Sequence, residues 1–234
     1  VNTRAAEVDP GSGIKMSIGD NSYQKFTAFH NTGVNELGWS SSFLLGFWQG
    51  DGWRNGMQGE GTTYAFSVGY TPRGGDHEFN FSLIGAGQWH HQAYYGTQLQ
   101  DYLDYGPIQG DDYRKFNALY GDYQGEEFSI LRNYYNKPLA TFNWDWEISS
   151  RVTLATSLYG SAGRGGGTGL RGRGSYGVSP FRESYAEYLD DHGEWRNPDT
   201  TINWGVAVQK NMAGAHVPDS CLLYTSPSPR DTLL

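Results

Sequence analysis

The chain has 234 residues, a formal charge of -8, 15% aromatic residues and 33 glycines. That is too aromatic for disorder and too rich in glycine and tyrosine for an ordinary helical enzyme, so an all-β fold is expected. The acidic balance argues against wholesale nucleic-acid binding, which needs a basic footprint, and no apolar run reaches the ~18 residues of a transmembrane helix. A transmembrane β-barrel stays open, because its alternating strands average out to a low mean hydropathy, here -0.62.

Val1-Asn2-Thr3-Arg4 leads into polar residues and Pro10 with no apolar signal segment and no initiating Met, so the chain is expected to begin in mid-protein. Strands are predicted over 12–19, 23–31, 38–49, 62–71, 77–86, 137–147 and 151–161, each rich in aromatic, β-branched and hydroxyl residues. Their period is two. Tyr64, Phe66, Val68 and Tyr70 alternate with Thr63, Ala65, Ser67 and Gly69, and Phe79, Phe81 and Leu83 alternate with Glu78, Asn80 and Ser82. Phe142, Trp144 and Trp146 oppose Thr141, Asn143, Asp145 and Glu147. Such strands suit a sheet with hydrocarbon on one side and water on the other, and the aromatic rows are expected on one convex face.

The connections Asn31 to Leu37, Pro72 to Asp76 and Ile148 to Ser150 are short, whereas Gly50 to Gly61, Gly87 to Asn136 and Ala162 to about Thr200 are long. Short and long alternate, as in an up-and-down barrel with short periplasmic turns and long extracellular loops. Asp20 to Ser22 is the exception, short where a long loop belongs. Within the long loops, Leu99 to Tyr105 is read as a short helix, and Ile202 to Val208 as either an eighth strand or an amphipathic turn. From Cys221 to Asp231 the chain resembles one translation frame of a transposase adapter used in sequencing libraries. Residues 221–234 are therefore read as an appended artefact, and the single cysteine carries no redox meaning.

Several motifs fit one family together. Gly85-Ala86-Gly87-Gln88-Trp89-His90-His91-Gln92 follows one strand, and Asn133-Tyr134-Tyr135-Asn136-Lys137-Pro138 opens the next. Tyr159 to Gly169 closes another, and Gly50-Asp51-Gly52-Trp53 follows the third. In this order they resemble the barrel of a TonB-dependent outer-membrane receptor, and Val1 to Arg4 resembles the last strand of that family's plug. The resemblance covers about residues 1–215, divided into 1–10 as the plug end and linker and 11–215 as a partial β-barrel. It implies the first third of a barrel of about 22 strands, in the bacterial outer membrane and in contact with its lipid. It also implies energy-coupled import of a scarce nutrient, a siderophore, cobalamin or an oligosaccharide, with TonB acting through a plug outside this chain. No enzyme, cofactor or nucleic-acid partner is expected. A secreted carbohydrate-binding β domain and a complete small outer-membrane barrel remain alternatives.

The residues expected near a ligand are Trp89, His90, His91 and Arg164, which follow two outward-running strands and would meet at the extracellular rim. Trp89 also reads as a member of an interfacial aromatic girdle. His90 and His91 are adjacent, so in a strand they point to opposite faces and suit no common metal. Gly172 to Gly177 matches a dinucleotide fingerprint by letter but lacks the βαβ context that would give it meaning. Asp145 and Glu147 share a face with no nucleophile or ligand set, and a polar lumen-facing row accounts for them without catalysis.

Overall fold

The computed structural model describes residues 4–93, 97–171, 196–212 and 222–224, so Val1 to Thr3, the Gly172 to Gly177 motif and most of the adapter-like tail lie outside the described residues. In chain order the strands are Gly11–Ile18 (β1), Gln24–Asn31 (β2), Trp39–Gly50 (β3), Gly59–Tyr70 (β4) and His77–His91 (β5). Helix Leu99–Gln109 (α1) follows, then Tyr120–Tyr123 (β6), Glu126–Ser129 (β7), Arg132–Asn136 (β8), Leu139–Ser149 (β9), Val152–Ser161 (β10), Arg164–Gly167 (β11) and Gly169–Arg171 (β12). Helix Trp204–Met212 (α2) and strand Leu222–Tyr224 (β13) complete the set. All seven predicted strands form, as β1 to β5, β9 and β10, with β5 running on to His91. The fold is predominantly antiparallel β-sheet.

The chain divides into two compact units: residues 1–49, 60–88 and 135–165, and residues 50–59, 89–134 and 166–234. The second unit thus takes in most of the three long connections together with the chain that follows the third.

In the first unit β1 to β5 pair in sequence, and β9 pairs both β5 and β10. Asn21 and Ser22, both with φ 56°, make the two-residue turn between β1 and β2. Two residues in the left-handed region match the twist of the flanking strands, which explains why this connection is short. Among the described residues the sheet does not close: β1 pairs only β2, and β10 pairs only β9.

The register sorts side chains into two faces. Met16 lies opposite Phe26, Phe26 opposite Phe47, Phe81 opposite Phe142, and Phe142 opposite Leu158. On this face Met16, Phe26, Phe47, Phe66, Phe81, Phe142 and Leu158, one from each of seven strands, are 39–76% exposed. Trp39 stacks on Tyr70 with ring centroids 4.5 Å apart, and Trp144 stacks on Trp146 at 6.2 Å. The other face buries polar groups instead: Ser40, Ser67, Asn80 and Ser82. A water-soluble sheet does the reverse, burying its apolar face and wetting its polar one.

What covers the polar face is the chain's own beginning. Residues Ala5–Glu7 form a 3-10 turn, and Ala5 is completely buried. The Ala5 amide donates to Asn80 Oδ1 at 3.2 Å, and the Ser67 hydroxyl donates to the same oxygen at 2.9 Å. Arg4 Nη1 donates to Glu78 Oε1 at 3.0 Å and also pairs with Asp145 Oδ2. Asp145 of the polar row is therefore a charge partner of the segment read as the plug end.

The second unit has its own core of Leu119, Ile130, Ile202, Trp204 and Ala207, flanked by Tyr123, Phe128 and Leu131. The stretch read as a strand or a turn is in fact α2. Asn203 Oδ1 accepts from the Val206 amide at 3.2 Å, as an N-cap does, and Trp204 and Ala207 at i and i+3 face the core. Helix α1 extends past the expected Tyr105 to Gln109, opened by a capping box between Gln98 and Asp101. The tail read as an appended artefact makes a pairing of its own: Leu222–Tyr224 pairs with Gly169–Arg171.

Candidate functional site

Trp89 and His91 share a face at the end of β5, and their rings lie 5.4 Å apart. The Arg132 guanidinium sits over Trp89, 4.1 Å from the ring centroid, within the range of a strong cation–π contact. Arg132 is held in turn by Thr168. Its amide donates to Thr168 Oγ1 at 2.8 Å, and that hydroxyl donates to the Ile130 carbonyl at 2.6 Å.

His91 is only 2% exposed, and its Nδ1 lies 3.1 Å from Glu127 Oε1. Its amide donates to the Gln58 carbonyl at 2.9 Å. Gln58 reaches Glu127 from its amide and from its side chain, each at 3.4 Å. The imidazole at the end of β5, the carboxylate on β7 and the Gln58 amide before β4 come from three separate stretches of two long connections, so this cluster ties them together. His91 is a buried tie between segments, and a ligand arriving from solvent does not reach it. His90 is half-buried and, as the alternation requires, faces the other way from its neighbour.

The expected constellation is only partly assembled. Trp89 and His91 meet, but the guanidinium against Trp89 belongs to Arg132, while Arg164 is an exposed residue of the first unit at the start of β11. Nothing in the local sequence singled out Arg132; the only signal was that Arg132 to Asn136 is itself a strand, which puts its side chains in register with the end of β5.

A second assembly in this unit escaped the sequence reading altogether. The side chains of Asn55, Gln109 and Asn117 close on one another: Asn55 Nδ2 donates to Gln109 Oε1 at 3.2 Å, and Asn117 Nδ2 donates to the Asn55 carbonyl at 2.8 Å. Gln109 Nε2 donates to the Asn117 carbonyl at 2.9 Å, and the Asn117 amide returns the bond to Gln109 Oε1 at 2.8 Å. The Asn55 amide also donates to the Lys115 carbonyl at 2.9 Å. On the rim of this hub Trp53 is 53% exposed, with Lys115 Nζ 5.5 Å and Arg114 Cζ 6.0 Å from its ring centroid. Arg114 is oriented by Asp112, whose carboxylate accepts from Nε at 2.9 Å and from Nη2 at 2.8 Å. That pairing holds Asp112 below the usual carboxylate range.

Burial, reinforced by the charges of Glu127, Asp199 and Asp122, pushes the Tyr120 hydroxyl up to about 12. Among the described residues no group of three or more His, Cys, Asp or Glu side chains converges on a point where a metal ion could sit. No described helix is long and apolar enough to cross a membrane. Compared with family models, with curated proteins and with solved structures, the chain matches none.

Proposed function

We propose that the chain is a segment of a TonB-dependent outer-membrane receptor: an energy-coupled importer, not an enzyme, whose strands contact outer-membrane lipid. The observation that carries this reading is the row of exposed apolar side chains across seven consecutive strands, set against a polar face that is buried. At about 25 cal/mol per Å² of apolar surface, leaving such a face in water forgoes stabilisation that lipid contact would supply. Two further features support it. The segment around Arg4 and Ala5 fills the polar side, as the end of a plug would, and the long connections fold into a unit of their own, as a nutrient-binding outer surface would. In this reading TonB acts through plug sequence outside this chain, and the ligand is a siderophore, cobalamin or an oligosaccharide.

The test is depth-dependent quenching. The full chain is refolded into phosphatidylcholine vesicles containing brominated acyl chains, and its tryptophan fluorescence is compared with that in plain lipid. Strong quenching is expected, and Trp144→Phe with Trp146→Phe should remove much of it, whereas Trp48→Phe, on the opposite face, should not. A chain that stays monodisperse in buffer and shows no quenching would overturn the reading.

A further inference from the structure

The second unit carries an exposed Trp whose environment folding alone does not explain. Burying the Trp53 ring would stabilise the unit, yet more than half of it stays in water, on a backbone bolted in place. Asn55, two residues on, is fastened through both its amide and its carbonyl, to Lys115 and to Asn117. The segment bearing the two cations is fixed by the same bonds and by the 3-10 turn Tyr113–Lys115, which Asp112 caps. The backbone that carries the ring and the cations is thus held by one hub, so part of the entropy of ordering the site is already spent before any ligand arrives. Tyr113, 42% exposed, adds a second aromatic in the same turn.

We propose that Trp53, Arg114 and Lys115 form a binding site for a flat-faced acid, a ring bearing a carboxylate. The exposed indole stacks against the ring, and the two cations meet the carboxylate. Each part follows from chemistry in view. Indole stacks on the apolar face of a sugar or an aryl ring without regard to its substituents. Arg114 uses Nε and Nη2 on Asp112, which orients the guanidinium and leaves its remaining donors directed elsewhere. The protein carries a net charge of -8 and Asp112 balances the charge of Arg114, so the local attraction for an anion comes from the Lys115 ammonium together with the guanidinium donors that Asp112 does not use, next to the exposed Trp53 ring. The site lies apart from the Trp89 and Arg132 contact, where the guanidinium already covers the ring. This inference names the ligand class for the importer reading and rests on it only for its biological setting.

Two sources can present such a ring, an acidic sugar or an aryl acid, and separate probes distinguish them. The full chain in detergent is titrated with trigalacturonate and with 2-hydroxybenzoate, beside maltotriose and phenol as uncharged counterparts. At least one acidic probe is expected to bind and to weaken with added salt, and its partner in the neutral pair is expected to bind at least about tenfold more weakly. Trp53→Ala and the double change Arg114→Gln with Lys115→Gln should each cost about tenfold or more, while Trp53→Phe, which keeps a ring, should retain most of the affinity. Failure of both acids to bind, equal binding of their neutral counterparts, or variants that bind like the parent would overturn the proposal. The outcome is separable from membrane insertion: a chain that binds the acid but is not quenched by brominated lipid refutes the importer and leaves the site standing.

Discussion

Arg4→Ala tests how the beginning of the chain is held on the polar face of the sheet. Arg4 joins two carboxylates, Glu78 and Asp145, that are register partners on β5 and β9 and so lie directly opposite each other. Removing the guanidinium deletes two charge-assisted hydrogen bonds and leaves two like charges face to face. In a fully buried site each bond would contribute about 1.5–3 kcal/mol. The three side chains are 28%, 31% and 21% exposed, however, so solvent screening brings the sum down to about 2 kcal/mol. The reporter is the Ala5 amide, buried against Asn80 Oδ1. Its hydrogen exchange, measured by mass spectrometry, should accelerate by about 30-fold in Arg4→Ala. Adding Glu78→Gln and Asp145→Asn to the variant removes the repulsion and should recover part of the protection. A change smaller than about twofold in Arg4→Ala would refute the argument, because it would mean that Ala5 and Asn80 hold the segment without the ionic contacts.

Trp204→Ala should destabilise the second unit by about 3–5 kcal/mol, since it empties the largest position of that core and strands the Phe128 carbonyl that accepts from the indole at 3.0 Å; loss of protection at the Ile130 amide, bonded to the Leu119 carbonyl, reads it out. Tyr120 has a folded-state pKa raised to about 12, so the unfolded chain ionises first. Its contribution is fully present below about pH 10 and is lost as pH rises towards 12, a fall of about 1–2 kcal/mol after allowance for partial exposure. Denaturation midpoints across that interval should lose this slope in Tyr120→Phe, and the same change should remove a late component from the phenolate absorbance titration. Among the described residues, deleting Cys221 to Leu234 removes the three-residue pairing of β13 with β12. The circular dichroism and denaturation midpoint of the sheet should not change, and a lost sheet signal would show the tail to be part of the fold.

The strands were legible because their information is local. A period of two places side chains on alternate faces wherever the strand lies, so Phe142, Trp144 and Trp146 could be grouped against Asn143 and Asp145 before any partner strand was known. The same logic failed at Ile202 to Val208, where five apolar residues satisfy both periods. Only the Asn203 cap and a core awaiting Trp204 and Ala207 decided for a helix. The site residues show the limit more plainly. Trp89 and His91 were visible as unusual residues at the end of a strand, but Arg132 lies 43 positions from Trp89, and Glu127 and Gln58 lie 36 and 33 positions from His91. Pairings across such separations depend on which loops fold together, and loop closure leaves no periodic trace in composition. The hub of Asn55, Gln109 and Asn117 was invisible for the same reason, since three isolated amides mean nothing until the fold brings their donors and acceptors within hydrogen-bonding distance. The sequence by itself therefore determined the strands and their two faces; the tertiary structure decided what each face and each loop was placed against.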